Sequence, residues 1–135
     1  MATLERMPKD VRNRIDHKVA PVEYTVDATG RTLGRVATEA AAMLLGKKSV
    51  NFLKTKVLPV KVTIVNANKL KLSEKRLSEK KYRYYTGHVG GLREYSLPML
   101  IEKKGVGEAL RMAVDGMIPR NKLRKERMKR LIIKD

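Results

Sequence analysis

Cysteine is absent from the 135-residue chain. That excludes a disulfide scaffold, a thiolate metal site and a cysteine nucleophile, and it leaves the redox compartment open. Tryptophan is also absent, and there is one phenylalanine. So little aromatic mass argues against a stacking platform for single-stranded bases and against an aromatic membrane anchor. Long apolar runs are lacking, so no membrane span is expected. His17 and His88 are the two histidines, too few for a zinc site without cysteine. Acids are in the minority, with 14 Asp and Glu against 31 Lys and Arg. They form no paired or metal-spaced cluster, so a two-metal nuclease has no visible ligand set. No metal, no cofactor and no catalytic residue is expected.

What is present points to a folded, polyanion-binding protein. The hydrophobic share of 42% supports a real core, and a chain of this length folds as one domain that buries about two-thirds of its surface. The formal charge of +17 makes a folded domain repel itself unless a polyanion or counterions neutralise it. Nucleic acid is the commonest such partner, and an anionic membrane surface the second. Few aromatics favour contact with phosphate backbone and shape over the reading of unpaired bases.

Residues 1–20 read as an extension that is poorly ordered without a partner. They have no apolar stretch typical of a secretory signal, and Glu5, Asp10 and Asp16 weigh against a transit peptide. Residues 21–135 read as a single α/β domain. Val22 to Val26 alternate as a strand, and Asp27 to Gly30 supply a turn, with an Asx-type bond the simplest role for Asp27. Leu33, Val36, Ala37, Ala40, Met43 and Leu44 make one helical face that Gly46 closes. An irregular basic segment over 47–59 leads to a second strand from Val60, so a parallel, right-handed crossover is predicted.

Residues 69–94 hold eight Lys or Arg against three Glu. Tyr82 to Tyr85 read as an extended piece ending in the Thr86–Gly91 turn. Ser96 is the expected N-cap of a helix over Leu97 to Lys104. Val106, Ala109, Leu110, Ala113, Val114 and Met117 predict another helix, stopped at Gly116 and Pro119. Met43, Met112 and Met117 are expected in the core. Arg120 to Arg130 read as a charged helix, and Leu131 to Ile133 as a terminal strand.

Two segments concentrate functional interest. Gly30 to Arg35, GRTLGR, falls between strand and helix, where free N–H groups receive phosphate. It is no nucleotide loop, because three residues rather than four separate its glycines and Arg-Val follows. Arg31 and Arg35 are expected on the exposed helix face, facing RNA. In Thr86 to Gly91, the glycines Gly87, Gly90 and Gly91 permit close backbone approach beside His88. His88 has no acid or nucleophile among its flanking residues, so a structural or phosphate-contacting role is expected rather than catalysis. Lys48, Arg83, Arg93, Lys125 and Arg127 belong to the same basic stretches and complete the candidate RNA-binding set.

Four segments carry a resemblance. VDATGRTLGRVATEAAAMLLGK at 26–47, VNANKL at 65–70, YTGHVGGL at 85–92 and GMIPRNKLRKERMKRL at 116–131 resemble the bacterial type of the large-subunit ribosomal protein thirteen family. The resemblance covers roughly residues 22 to 133. It implies a three-layer α/β/α fold with a short, mainly parallel sheet and a basic C-terminal helix. It also implies a cytoplasmic, non-enzymatic protein that assembles early, bound to large-subunit ribosomal RNA and neighbouring ribosomal proteins, without membrane or small-molecule substrate. Carried over by position, it points to Arg31, Arg35, Lys47, the Thr86–Gly91 turn with His88, Arg120, Lys122 and Arg124 as RNA-facing. The segment before the second strand, NFLKTKVLP, is shorter than the family pattern and has no acid, histidine or glycine, and the chain stops soon after its last strand. The alternative is a nuclease-like enzyme on an α/β sheet, which would need an acid cluster or a true phosphate loop. A DNA-binding protein would need a recognition helix, and no such signature is present.

Overall fold

The computed structural model describes residues 21–50 and 52–135; the extension over residues 1–20 lies outside them. In chain order the elements are β1 (Val22–Asp27), α1 (Leu33–Leu44), β2 (Val60–Val65), a 3-10 turn (Ala67–Lys69), α2 (Glu74–Glu79), β3 (Lys81–Tyr85), β4 (Leu92–Ser96), α3 (Leu97–Lys104), α4 (Val106–Met117), α5 (Arg124–Met128) and β5 (Leu131–Ile133). β1, β2 and β5 form a parallel sheet in the order β1-β2-β5, and β3 pairs with β4 as a separate antiparallel ribbon.

The alternation of β2 decides which way the sheet faces. Val60, Val62 and Ile64 are buried, while Lys61 is exposed. The register sets Val26 beside Ile64 and Ile64 beside Ile133, so one apolar row crosses all three strands. α1 packs on this face, and α4 packs on α1. Ala37, Ala40 and Ala41 are buried on α1, and their small size lets backbone approach backbone. Each larger buried side chain, such as Leu33, Val36 or Leu44, contributes about 1.5–3 kcal/mol by leaving water. Glu23, Thr25, Asp27, Lys61 and Ile132, on the opposite face, are exposed. The α/β class with its short, mainly parallel sheet matches the expectation.

Gly46 ends α1 as predicted. Its φ is +81°; its N–H donates to the Met43 carbonyl at 2.8 Å and that of Lys47 to the Ala42 carbonyl at 3.0 Å, the paired pattern of a Schellman motif. A side chain at Gly46 would run into Leu58, itself buried.

Four expectations need correction. The 69–94 segment contains a short helix, α2, and a second strand, β4. The register places Arg83 opposite Glu94, and that ion pair, at 2.6 Å, ties the ribbon across. The tail is helical only over the five residues of α5, because three of its arginines turn inward, as described below. Ser96 holds the N-cap position of α3, but its side chain makes no capping bond. Met112 and Met117 are 36% and 41% exposed, so α4 carries its methionines at the edge of the core.

Candidate nucleic-acid interface

The first basic surface is a cleft of about 730 Å³ at the start of α1, lined by Arg31, Gly34, Arg35, Lys71, Ser73 and Arg76 among others. Asp27 anchors the turn that leads into α1. The Thr29 N–H and hydroxyl donate to Asp27 Oδ1 at 3.0 and 2.7 Å, and the Asn66 amide donates to the same oxygen at 3.1 Å. These bonds, the Thr29 N–H foremost, hold the Asp27 carboxyl down at about 2. Asp27 is therefore a fixed acceptor and no proton donor, as the Asx-type reading predicts. Gly30, at φ +64°, completes the turn, and its N–H donates to the Lys69 carbonyl at 3.0 Å. The Lys71 N–H donates to the Arg31 carbonyl, also at 3.0 Å. Two distant segments, 30–32 and 69–71, are thereby laced together, which brings Lys71 and Arg76 to Arg31 and Arg35.

Arg31 does not lie on the helix, contrary to expectation: α1 begins at Leu33, with Thr32 as its N-cap residue. The Arg31 guanidinium is held 2.7 Å from Glu39 and 3.4 Å from the Asp27 carbonyl. Glu39 also lies 4.0 Å from Lys48 and is the one acid in the lining of the cleft. Arg35, Lys71 and Arg76 are exposed. Thr32 and Gly34, at the start of α1, line the cleft, and Thr32 makes no side-chain cap bond, so the positive end of the helix dipole lies beside these cations. Lys71 and Arg76 went unmarked in the sequence because neither sits in a motif; only the lacing of 69–71 onto the turn assigns them here.

The second surface is the tip of the β3–β4 ribbon. The Thr86 N–H donates to the Gly91 carbonyl at 3.2 Å and the Gly91 N–H to the His88 carbonyl at 2.9 Å. Gly87 and Gly90 adopt φ of +88° and +74°, which explains glycine at both. Gly91 has a different reason: a Cβ there would collide with the Thr86 hydroxyl and sit 2.9 Å from the His88 carbonyl. His88 is exposed, as are Arg83 and Arg93, but Arg83 is already paired with Glu94.

The third group lies at the other end of α1, about 18 Å away at 1.5 Å per residue over twelve residues. Lys47, Lys54, Pro119 and Asn121 share one cavity wall there. Lys47, Lys48, Arg120, Lys122 and Lys125 are exposed. Arg124 and Arg127 are not free phosphate ligands. Arg124 grips the Asp115 carboxylate through two nitrogens. Arg127 is 2% exposed, and it donates to the carbonyls of Lys54 and Lys56 at 3.5 and 3.3 Å. Arg130 donates to the Leu58 carbonyl. These arginines bind the irregular 54–58 segment to the tail.

Among the described residues no group of acids, histidines or cysteines could hold a metal ion, and no helix is long and apolar enough to cross a membrane. A profile of the family described as Ribosomal protein L13 matches residues 22–133. The chain belongs to that family. It is 49% identical over 108 residues to the large ribosomal subunit protein uL13 of Clostridioides difficile, covering 80% of this chain and 75% of that one. The same-named protein of Rubrobacter xylanophilus is 38% identical over 110 residues, covering 82% and 76%. That of Geobacter sulfurreducens is 42% identical over 108 residues, covering 80% and 75%. The family is one of structural ribosomal proteins of the large subunit and not of enzymes, and this member is of the bacterial type.

Proposed function

We propose that the protein binds large-subunit ribosomal RNA and holds it during early assembly of the subunit, in the cytoplasm and beside neighbouring ribosomal proteins. Residues 21–135 act as one RNA-binding domain, with residues 1–20 as an extension. The observation that carries this reading is the cleft at the start of α1. Four cations, one acid and the open end of a twelve-residue helix meet in one concavity, a match for phosphate oxygens. The ribbon tip adds backbone open to close approach at Gly87 and Gly90, where nothing lies within 4 Å of an added Cβ, with Gly91 holding the turn closed through its bond to the His88 carbonyl. Lys47, Lys48, Arg120, Lys122 and Lys125 supply a second set of charges one helix length away. Two basic surfaces so separated suit the bridging of RNA segments, with the folded core keeping the cations in register.

The test is the salt dependence of binding to a large-subunit ribosomal RNA fragment. With about ten phosphate contacts, the slope of log K against log salt is expected at about −7 to −9. A nearly flat slope would defeat the electrostatic account.

A further inference from the structure

Four of the five tyrosines fall between residues 82 and 95. The β3–β4 register sets Tyr82 opposite Tyr95 and Tyr84 opposite Arg93, so these four side chains share one face of the ribbon. That face closes a groove of about 480 Å³ against α3 and α4. Its floor is half-buried Tyr82 and Tyr95 with buried Leu100; its rim is Tyr84, 63% exposed, with Met99 and Met112. Every charged side chain in the lining is a cation, Lys103 and Lys104 among them. Lys103 Nζ stands 5.8 Å from the Tyr95 ring centre, and Lys80 Nζ 5.3 Å from that of Tyr82. The floor rings thus already carry a lysine, while the Tyr84 ring stands open at the rim.

We infer that this groove takes one unpaired nucleotide of the bound RNA, its base stacked on Tyr84 and its phosphate held by Lys103 and Lys104. The inference rests on the RNA-binding reading above. The pairing of aromatic ring and ammonium is what a nucleotide requires, the volume falls in the range of small-ligand sites of about 300–1,000 Å³, and the all-cation lining complements a polyanion. The scarcity of aromatics argued against base stacking, but the ribbon register sets three of the six on one face.

Because the chain has no tryptophan, its ultraviolet emission reports tyrosine directly. The full chain is titrated with a six-residue oligoadenylate and, separately, with a fully base-paired RNA hairpin of equal charge. Oligoadenylate is expected to quench the emission. Tyr84→Ala is expected to weaken oligoadenylate binding about 5- to 150-fold, Tyr84→Phe to restore it, and hairpin binding to stay unchanged in both. Equal weakening on both RNAs, or none, overturns the groove while leaving salt-dependent hairpin binding, and so the wider reading, intact. Failure of the native chain to bind either RNA overturns both. Ultraviolet crosslinking of isolated large particles adds a second arm: a Tyr84 peptide joined to RNA supports the inference, and one joined to another protein overturns it.

Discussion

The cleft at the start of α1 and the segment from Arg124 to Arg130 are both rich in arginine and lysine, and they use those side chains in opposite ways. In the cleft, Arg35, Lys71 and Arg76 are exposed, and Arg31 is steadied by Glu39 while keeping a side chain 40% exposed. In the tail, Arg124 closes on Asp115, and Arg127 and Arg130 reach carbonyls of residues 54–58. Composition treats the two alike. What separates them is burial: Arg31 pairs with Glu39 at the surface, whereas Arg127 is enclosed against the carbonyls of Lys54 and Lys56. The 54–58 segment belongs to neither helix nor sheet, so its carbonyls need donors, and the tail supplies them. The cleft has four cations against one acid in its lining, so its donors outnumber the acceptors within it.

The comparison breaks most visibly at Arg127. Arg127→Ala is expected to cost about 2–4 kcal/mol, through a void and two carbonyls left without their donor. Leu110→Ala, in the fully buried face of α4, sets the scale at about 2–5 kcal/mol. Chemical denaturation of the three proteins would measure this, and a cost under about 0.5 kcal/mol at Arg127 would make it a surface residue in effect.

The ribbon tip stands between the two extremes. Gly91→Ala is expected to cost about 1–3 kcal/mol from overpacking against Thr86 and the His88 carbonyl. His88→Gln should stay within about 0.5 kcal/mol and still enter large subunits. Thermal melts, with competitive incorporation of tagged variants into particles, would compare them. Exclusion of the glutamine variant alone would restore a special role for the imidazole.

At the cleft the ranking inverts. Arg35→Ala and Arg76→Ala should each leave stability within about 0.5 kcal/mol while lowering the magnitude of the salt slope for RNA binding by about 1. Arg127→Ala, judged only where it remains folded, should leave that slope unchanged. Filter binding across a salt series distinguishes them.

The smallest effect concerns acid. Asp27 is held at about 2 against its ordinary 3.8, so the folded state favours its charged form. Its contribution is complete above pH 3.8 and is lost as the pH falls through about 2. Acid unfolding followed by circular dichroism should show a decline in that window which Asp27→Asn lacks. Identical curves would mean that the Thr29 and Asn66 bonds do not anchor the turn under the cleft.

Much of the framework was legible along the chain. β1, α1, β2, α4 and β5 follow from local alternation, helical periodicity and the glycine at 46, because burial of one face writes itself into sequence with the period of the element. β4 was not legible: Leu92, Arg93 and Glu94 are exposed, so no buried face imposes alternation on the strand. Of the candidate interface, the exposure of Arg35 and Lys47 and the glycine turn were readable from position and type. Lys71 and Arg76 were not, since they join Arg31 only through hydrogen bonds spanning some forty residues.

Composition alone pointed to a class of partner. A charge of +17 without cysteine, acid clusters or a nucleotide loop leaves a polyanion as the fitting ligand, because net charge and the absence of chemistry are additive properties that need no fold. The sequence also determined the crossover and its apolar faces, which arise from neighbours a few residues apart. Folding set which cations face outward, which tyrosines share one face of the ribbon, and that Arg127 is interior. Those outcomes depend on acceptors and surfaces brought from distant parts of the chain. An arginine with only open water before it stays exposed, and one that meets the carbonyls of residues 54–58 becomes a structural donor.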